Sequence, residues 1–210
     1  MSAHSQTLRG LYALTDAALT PGDALLAAVA AAIRGGARLV QYRDKSADTQ
    51  ACRQQARALL DLCRDHGVPL IINDAVDLAA SLAADGVHLG RDDISLNEAR
   101  VQLGPRAIIG VSCYDSMARA VSAAHQGADY VAFGGFFPSP TKPGAVLAPP
   151  ALLAQARLQL SVPVCAIGGI TPDNGAALIK AGADMLAVIS GLFAAKDVED
   201  TARRYARLFK

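Results

Sequence analysis

The sequence predicts a single-domain α/β protein, a (β/α)₈ TIM barrel, on three observations. Short apolar runs alternate with longer alanine- and leucine-rich segments, and a repeated strand–helix unit predicts a parallel sheet with right-handed crossovers. The phrases GGARLV, ADGVHL, QGADYV and AGADML enter every second strand, and this repeat favours a closed barrel over an open doubly wound sheet. A length of 210 residues lies at the compact end of the barrel range.

In the first half of the chain, four short apolar runs predict strands: GLYALTD (10–16), RLVQYRD (38–44), PLIIND (69–74) and GVHLG (86–90). The longer segments that follow them carry apolar residues at helical spacing and predict helices: residues 23–35, 49–66, 75–84 and 95–103. A glycine in each repeated phrase is expected to end one helix and begin the next strand.

In the second half, the predicted strands are AIIGVSC (107–113), YVAFGG (130–135), VPVCAIGG (162–169) and MLAVIS (185–190). The predicted helices cover residues 115–126, 150–159, 172–181 and 197–209. Two helix starts carry a sequence signal, since Asp115 is a capping residue type and Thr171 precedes Pro172 at a first helical position. A short helical turn is expected after the eighth strand.

The composition excludes several classes of protein. Hydrophobic residues make up 52% of the chain and charged residues 19%, so a large core is expected and disorder is not. A net charge of +1 gives no general attraction to nucleic acid or to an anionic membrane. The stretch ALLAAVAAAI is too short to span a bilayer, and the first ten residues do not resemble a signal peptide. These features predict a cytoplasmic protein whose one domain covers residues 1–210, with residues 1–9 as a short tail.

Thiol chemistry is not expected to be part of the function. The four cysteines show no CxxC spacing, which argues against a zinc or thioredoxin-type site. They are interpreted as ordinary reduced thiols: Cys52, Cys63, Cys113 and Cys165.

Polar residues at the end of the second strand predict an anion site. In a closed barrel, chemistry belongs at the carboxyl ends of the strands. Gln41, Arg43 and Lys45 alternate along the strand and should point the same way. A guanidinium and an ammonium group suit anionic oxygen atoms. The alternative is a solvated strand end in which Arg43 pairs with a nearby acid.

Carboxylates after the third and fourth strands predict a hard-cation site. Asn73 and Asp74 end the third strand, and Asp93 follows the fourth. Magnesium takes few protein carboxylates and completes its shell with water and phosphate oxygens. The alternative is structural, because Asp74 could cap the helix near residue 75, and Asp93 or Ser95 could cap the next. His88, inside the fourth strand, is interpreted as a hydrogen-bonded core residue rather than a base.

The remaining strand ends carry hydroxyls, a lysine and glycines. Ser112 ends the fifth strand. The stretch FFPSPTKPGA (136–145) follows the sixth and offers Ser139, Thr141 and Lys142 between prolines, which lower the entropy of ordering a loop. The last two strands end in IGGI and VIS, where glycines and helix starts present backbone N–H groups to a phosphate. The pattern therefore predicts two anion sites at one barrel mouth.

These motifs together resemble the thiamine-phosphate synthase (thiamine-phosphate pyrophosphorylase) family. The resemblance rests on VQYRDK, IINDAVDLAASLAADGVHLGRDD, IIGVSCY, FGGFFPSPTKPGA, AIGGI and VIS, in that order, and covers the chain from about Gly10 to Phe209. It implies a TIM barrel that joins hydroxymethylpyrimidine diphosphate to hydroxyethylthiazole phosphate, with diphosphate and thiamine phosphate as products. It also implies that diphosphate leaves early, giving a pyrimidine cation that the thiazole nitrogen attacks.

The resemblance also implies roles for individual residues. The residues it matches to the pyrimidine diphosphate are Gln41, Arg43, Lys45, Asn73, Ser112 and Lys142. Those it matches to the thiazole phosphate are Ser139, Thr141, Gly169, Ile189 and Ser190. Asp74 and Asp93 match ligands of Mg²⁺. Arg43, Lys45, Ser112 and Lys142 are the expected catalytic residues.

The chain departs from the familiar family pattern at three positions. Tyr42 and Asp44 replace the leucine and glutamate of QLREK, and Ser139 stands where threonine is familiar. None of these changes removes a required group. The rival functions are a thiazole tautomerase-like barrel, which lacks much of the diphosphate site, and a non-catalytic phosphate-binding barrel. The expected partners are small molecules, and the sequence is compatible with a homo-oligomer.

Overall fold

The structure is a computed structural model that describes residues 8–46, 49–139 and 147–210. Eight parallel strands close into a barrel in sequence order, with β1 paired to both β2 and β8. The strands are β1 Gly10–Leu14, β2 Ala37–Tyr42, β3 Leu70–Asn73, β4 Gly86–Leu89, β5 Ile108–Tyr114, β6 Tyr130–Gly134, β7 Val164–Ile167 and β8 Met185–Val188. The closed barrel confirms the predicted fold and excludes the open doubly wound sheet.

Helices surround the strands in alternation with them. In the described ranges they are α1 Ala24–Arg34, α2 Thr49–Asp65, α3 Val76–Leu82, α4 Leu96–Leu103, α5 Met117–His125, α6 Ala151–Gln159, α7 Gly175–Ala181, α8 Ser190–Phe193 and α9 Val198–Arg207. The short α8 is the helical turn expected after the eighth strand. No helix in these ranges is long and apolar enough to cross a lipid bilayer.

Two predicted helix starts were wrong. Ser116, not Asp115, caps α5, and its side chain accepts a hydrogen bond from the N–H of Arg119. The seventh helix begins at Gly175 rather than near 172, because Thr171 and Asn174 close a turn before it. Since that turn uses the same capping groups as a helix start, the sequence pattern does not distinguish the two.

The repeated phrases that enter alternate strands have a physical role at the amino-terminal end of the barrel. Asp85, Asp129 and Asp184 each accept a hydrogen bond of 2.8–2.9 Å from a backbone N–H at the start of the preceding odd-numbered strand. Asp129 also pairs with Arg100 at 2.7 Å. Three of the four phrases therefore join neighbouring strands through a carboxylate. The prediction that a glycine ends each preceding helix was wrong for α3, whose C-cap residue is Ala83 in a left-handed conformation, while Gly86 begins β4.

The core has two parts, one inside the barrel and one between strands and helices. The inner cluster is made by side chains that alternate along the strands: Leu8, Tyr12, Leu14, Leu39, Ile71, Ile108, Tyr130, Ala132, Cys165, Met185 and Ala187. The outer cluster packs the other strand faces against the helices. All four cysteines are free thiols, and three of them are buried. The filled interior leaves the carboxyl-terminal mouth as the place for a site.

Candidate active site

The end of β2 places one buried and two solvent-accessible groups at the mouth. Gln41 lies inside the barrel and is only 2% exposed, whereas Arg43 is half-buried and Lys45 exposed. The strand ends at Tyr42, so the alternation that was expected to align Gln41, Arg43 and Lys45 does not extend past it. The three residues share a strand end.

Arg43 pairs with an acid that sequence reasoning missed. Its guanidinium donates to Asp16 at 3.0 Å, and its backbone N–H donates to the Thr15 hydroxyl at 2.9 Å. Both partners follow β1, so the contact joins neighbouring strand ends. The nearby acid of the alternative interpretation is therefore present. The pair occupies one of five guanidinium N–H donors, which leaves Arg43 able to bind an anion as well.

Asp74 and Asp93 do not cap helices. Asp74 has a left-handed backbone with φ 62, and α3 begins after Ala75 with no side-chain cap. Ser95 caps α4 in a reciprocal capping box. Asp93 instead accepts a 2.6 Å hydrogen bond from the N–H of Gly90. The prediction that either acid could cap a helix was therefore wrong, whereas the prediction that Ser95 could do so is confirmed.

The two carboxylates lie close enough to affect each other. Burial, and next the charge of Asp93, raise the pKa of Asp74, while Lys45 opposes the shift. Asn73 donates to Asp74 at 2.6 Å and fixes one of its oxygens. Two facing acids beside a lysine favour a cation between them, since a cation would remove their repulsion.

This donor set fits magnesium. The described ranges contain no cluster of three or more histidine, cysteine, aspartate or glutamate side chains that could hold a metal. A pair of carboxylates suits magnesium, which takes one or two from the protein and the rest of its oxygens from water and phosphate.

Ser112 is held at the mouth by a second residue that sequence reasoning missed. Arg119 of α5 donates to the carbonyl oxygen of Ser112 at 2.7 Å and to that of Gly90 at 2.8 Å. It thereby joins the ends of β4 and β5, and with them Ser112 and the segment that carries Asp93. An arginine on a helix gives no sequence signal for this role, because it depends on two loops that meet in space.

A cavity of about 180 Å³ lies beside the ends of β7 and β8. Four residues expected to bind the thiazole phosphate line it: Ser139, Gly169, Ile189 and Ser190. The fold thus brings together residues 50 positions apart in the chain. Thr141 and Lys142, the other two predicted residues of the loop after β6, lie outside the described residues.

The glycine at 169 has a packing reason to lack a side chain, in addition to the predicted approach of a phosphate. The sequence predicts that this residue is a glycine so that a phosphate can approach its backbone N–H. In the structure its φ is +58, and an added Cβ would collide with the carbonyl oxygen of Pro138 and with Phe137. The segment is also a loop, since α7 begins only at Gly175. Its glycine therefore lets the loops after β6 and β7 pack together, which shapes one wall of the cavity.

Tyr205 joins the two loops that form the cavity. This buried residue of α9 donates from its hydroxyl to the carbonyl oxygen of Ile170 at 2.8 Å, with a longer contact of 3.4 Å to that of Gly191. Asn174 adds a hydrogen bond of 3.1 Å to the carbonyl oxygen of Gly169. These contacts hold the loops after β7 and β8, which form the walls of the cavity.

The two sequence departures next to the site make hydrogen bonds to residues outside the predicted site. Tyr42 packs in the outer cluster, and its hydroxyl donates to Gln55 at 2.9 Å. Asp44 accepts from the N–H of Ser46 at 2.7 Å and so closes a turn. Neither side chain replaces a group at the mouth.

Comparisons with known proteins find one family and the same fold. The family described as thiamine monophosphate synthase matches residues 11–192. A thiamine-phosphate synthase of Thioalkalivibrio sulfidiphilus is 56% identical over 210 residues, covering 100% of both chains. One of Azoarcus sp. is 56% identical over 204 residues, covering 97% of this chain and 98% of the relative. A solved thiamine phosphate pyrophosphorylase of Pyrococcus furiosus superposes with a TM-score of 0.88 at 33% identity, covering 97% and 96%.

Proposed function

Because the chain belongs to the thiamine monophosphate synthase family, we infer that it is a transferase that makes thiamine phosphate. It joins hydroxymethylpyrimidine diphosphate to hydroxyethylthiazole phosphate and releases diphosphate. The observation that carries this reaction is the mouth itself, where facing carboxylates and cations stand beside a separate glycine-walled cavity. A site for one anion would need only one of these two parts.

The diphosphate side of the mouth uses fixed charge. We propose that Asp74 and Asp93 hold Mg²⁺, which would neutralise charge on the diphosphate and so make it a better leaving group. Arg43 and Lys45 bind diphosphate oxygens, and by the family resemblance so does Lys142. A fixed charge about 4 Å from the leaving group contributes on the order of 4 kcal/mol at a typical effective dielectric.

The pyrimidine ring lies deeper, against the polar interior of the barrel. Gln41, Asn73 and Ser112 offer it amide and hydroxyl groups. The thiazole phosphate lies in the cavity, where Ser139, Gly169, Ile189 and Ser190 surround its oxygens with hydroxyl and backbone N–H donors; by resemblance Thr141 adds a hydroxyl. These assignments place the two reacting rings side by side at the centre of the mouth.

The reaction requires a good leaving group more than a base. The bond between the pyrimidine methylene carbon and oxygen breaks, and its electron pair leaves with diphosphate. The thiazole nitrogen then gives its lone pair to the pyrimidine cation and becomes the charged nitrogen of the product. No proton moves in either step. A mouth rich in cations suits this chemistry, as does His88 below it, whose pKa burial lowers to about 4.

The test is the formation of thiamine phosphate from the two purified substrates. We expect product and diphosphate in equal amounts, and only when both substrates and magnesium are present. Isomerised thiazole phosphate without synthesis would identify a tautomerase-like barrel instead. Binding of thiazole phosphate with no turnover and no effect of magnesium would identify a phosphate-binding barrel. The homo-oligomeric state and the cytoplasmic location remain predictions.

The Asp16 contact predicts a change in the binding of one substrate. Replacing Asp16 by asparagine removes the charge that orients Arg43, so we expect the KM for the pyrimidine diphosphate to rise about threefold to tenfold. The KM for the thiazole phosphate should stay the same. Steady-state kinetics would measure both, with Asp23→Asn as the matched control, because Asp23 makes no side-chain cap contact. A lower KM in Asp16→Asn would show that Asp16 competes with the diphosphate for Arg43.

The Tyr205 contact predicts a change in the binding of the other substrate, the thiazole phosphate. Replacing Tyr205 by phenylalanine keeps the packing of the ring but removes the hydroxyl that holds the loops after β7 and β8. We expect the KM for the thiazole phosphate to rise about fivefold, since one lost hydrogen bond contributes about 1 kcal/mol. The KM for the pyrimidine diphosphate should not change. An equal rise in both would indicate a general loss of structure.

A further inference from the structure

Five polar side chains form a continuous hydrogen-bonded chain through the barrel interior. The Gln41 amide nitrogen lies 2.7 Å from the Tyr12 hydroxyl, which lies 2.8 Å from the Tyr130 hydroxyl. The Tyr130 hydroxyl lies 2.9 Å from Nδ1 of His88, and Nε2 of His88 lies 2.8 Å from the Ser112 hydroxyl. We call this chain the interior relay. Its two ends are residues assigned to the pyrimidine ring, and its three middle residues have no assigned role.

The interior relay is built into the core and is not a chance contact. Tyr12 and Tyr130 are 1% and 0% exposed, and their rings meet edge to face. The His88 ring stacks on Tyr130 with centroids 5.6 Å apart. Gly110, the β5 partner of Tyr130, leaves the space for that ring, because an added Cβ would collide with it. Buried hydroxyls of this kind are costly unless each one has a partner.

All the hydrogen bonds of the interior relay are donated in the same direction, from Gln41 towards Ser112. Gln41 donates to Tyr12, so the single hydroxyl proton of Tyr12 is left for Tyr130, and that of Tyr130 for Nδ1 of His88. Because Nδ1 of His88 accepts the proton of Tyr130, the imidazole is neutral in this arrangement. A neutral imidazole has one N–H, which must then lie on Nε2 and point to Ser112.

This direction fixes what the two ends present to a ligand. Ser112 accepts from His88, so its own proton remains for the ligand, while Gln41 presents its carbonyl oxygen. If the oxygen and nitrogen of the Gln41 amide were exchanged, the donor and the acceptor would exchange roles in every hydrogen bond of the interior relay. Ser112 would then donate its proton to His88. The interior relay therefore couples the ends, so that one presents a donor whenever the other presents an acceptor.

We propose that Tyr12, Tyr130 and His88 are positioning residues that hold Gln41 as an acceptor and Ser112 as a donor, so that the mouth selects an aminopyrimidine over an oxopyrimidine. This proposal rests on the proposed function for the identity of the ring. The amino group of hydroxymethylpyrimidine donates to Gln41, and a ring nitrogen accepts from Ser112. A 4-oxo ring would instead place a carbonyl oxygen against the Gln41 oxygen, and such a mismatch costs a buried site 10- to 1,000-fold or more in specificity.

The test compares the two rings in wild type and in two variants, Tyr12→Phe and Tyr130→Phe. Each variant keeps its ring and removes one hydroxyl, which breaks the interior relay and frees the Gln41 amide to turn. The amino/oxo ratio is kcat/KM for the amino substrate divided by kcat/KM for its 4-oxo analogue. We expect this ratio to fall at least tenfold in both variants. The KM for the thiazole phosphate should stay within twofold of wild type. The use of two variants keeps the test informative if one of them fails to fold.

Tyr205→Phe is the matched control, since it removes a buried tyrosine hydroxyl that lies outside the interior relay. It should alter the thiazole phosphate KM and leave the amino/oxo ratio unchanged. An unchanged ratio in Tyr12→Phe and Tyr130→Phe would overturn the proposal and leave the hydroxyls a purely structural role.

A binding measurement separates this proposal from the proposed function. Titration calorimetry with the aminopyrimidine diphosphate and its 4-oxo analogue needs no turnover. If wild type makes no thiamine phosphate but still prefers the amino ring, and the phenylalanine variants lose that preference, the proposed function fails and the interior relay stands. If wild type binds both rings equally, the interior relay is wrong whatever the enzyme makes.

Discussion

Replacing Asp74 by asparagine is expected to lower kcat at least 100-fold while the protein stays folded. Asparagine has nearly the same shape and tolerates the left-handed backbone that this position adopts. It can also keep the contact with Asn73. The change removes one of the two charges proposed to hold magnesium, and with it the means of stabilising the departing diphosphate. Steady-state assays at several magnesium concentrations would measure the loss.

The stability of this variant gives an independent check. Burial and Asp93 raise the pKa of Asp74, so its ionised form is disfavoured in the folded state relative to the unfolded chain. The free energy of unfolding at pH 7 should therefore stay the same or rise when the charge is removed. Asp77→Asn, on the exposed side of α3, is the matched control and should keep full activity. Normal turnover of Asp74→Asn at low magnesium would show that Asp74 is not a magnesium ligand.

Replacing Arg43 by glutamine should have the second-largest effect, a loss of about 100-fold in kcat/KM for the pyrimidine diphosphate. Glutamine keeps a polar group but loses the charge and the planar donors that match phosphate oxygens. The side chain is only 23% exposed, so solvent screens its charge incompletely. The loss should appear in kcat as well as KM, because charge on the leaving group grows as the carbon–oxygen bond breaks.

Two controls separate this effect from a general loss of positive charge or of structure. Arg38→Gln changes an exposed arginine of the same strand near its other end, so its activity should match wild type. The thiazole phosphate KM of Arg43→Gln should also be normal. A purely structural ion pair with Asp16 would instead give a lower melting temperature with normal kcat.

The sequence predicts the fold well because its signals are local. Each strand appears within a few residues of its predicted bounds, since an apolar run flanked by glycine or polar residues specifies a buried strand by itself. The errors occur at helix starts, where several residues of capping type lie within a few positions of each other. Ser116, instead of Asp115, caps α5, and α7 begins only after the turn made by Thr171 and Asn174.

The candidate site is only partly visible in the sequence. Residues at strand ends can be identified because the barrel brings all such ends together, as it does Asp74 with Asp93 and Ser139 with Gly169. The residues that hold the strand-end residues in place cannot be identified from the sequence, because their contacts join elements far apart in the chain. Arg119 is an example, since it binds two carbonyl oxygens of other loops.

The most direct test of the central claim is a crystal structure with Mg²⁺, diphosphate and the thiazole phosphate bound. The claim is that one barrel mouth holds the two anions in separate places. The metal should lie about 2.0–2.1 Å from oxygens of both Asp74 and Asp93 and should also contact the diphosphate. The thiazole phosphate should lie in the cavity beside Gly169 and Ser190. Diphosphate in that cavity, or a metal bound away from Asp74 and Asp93, would contradict the account.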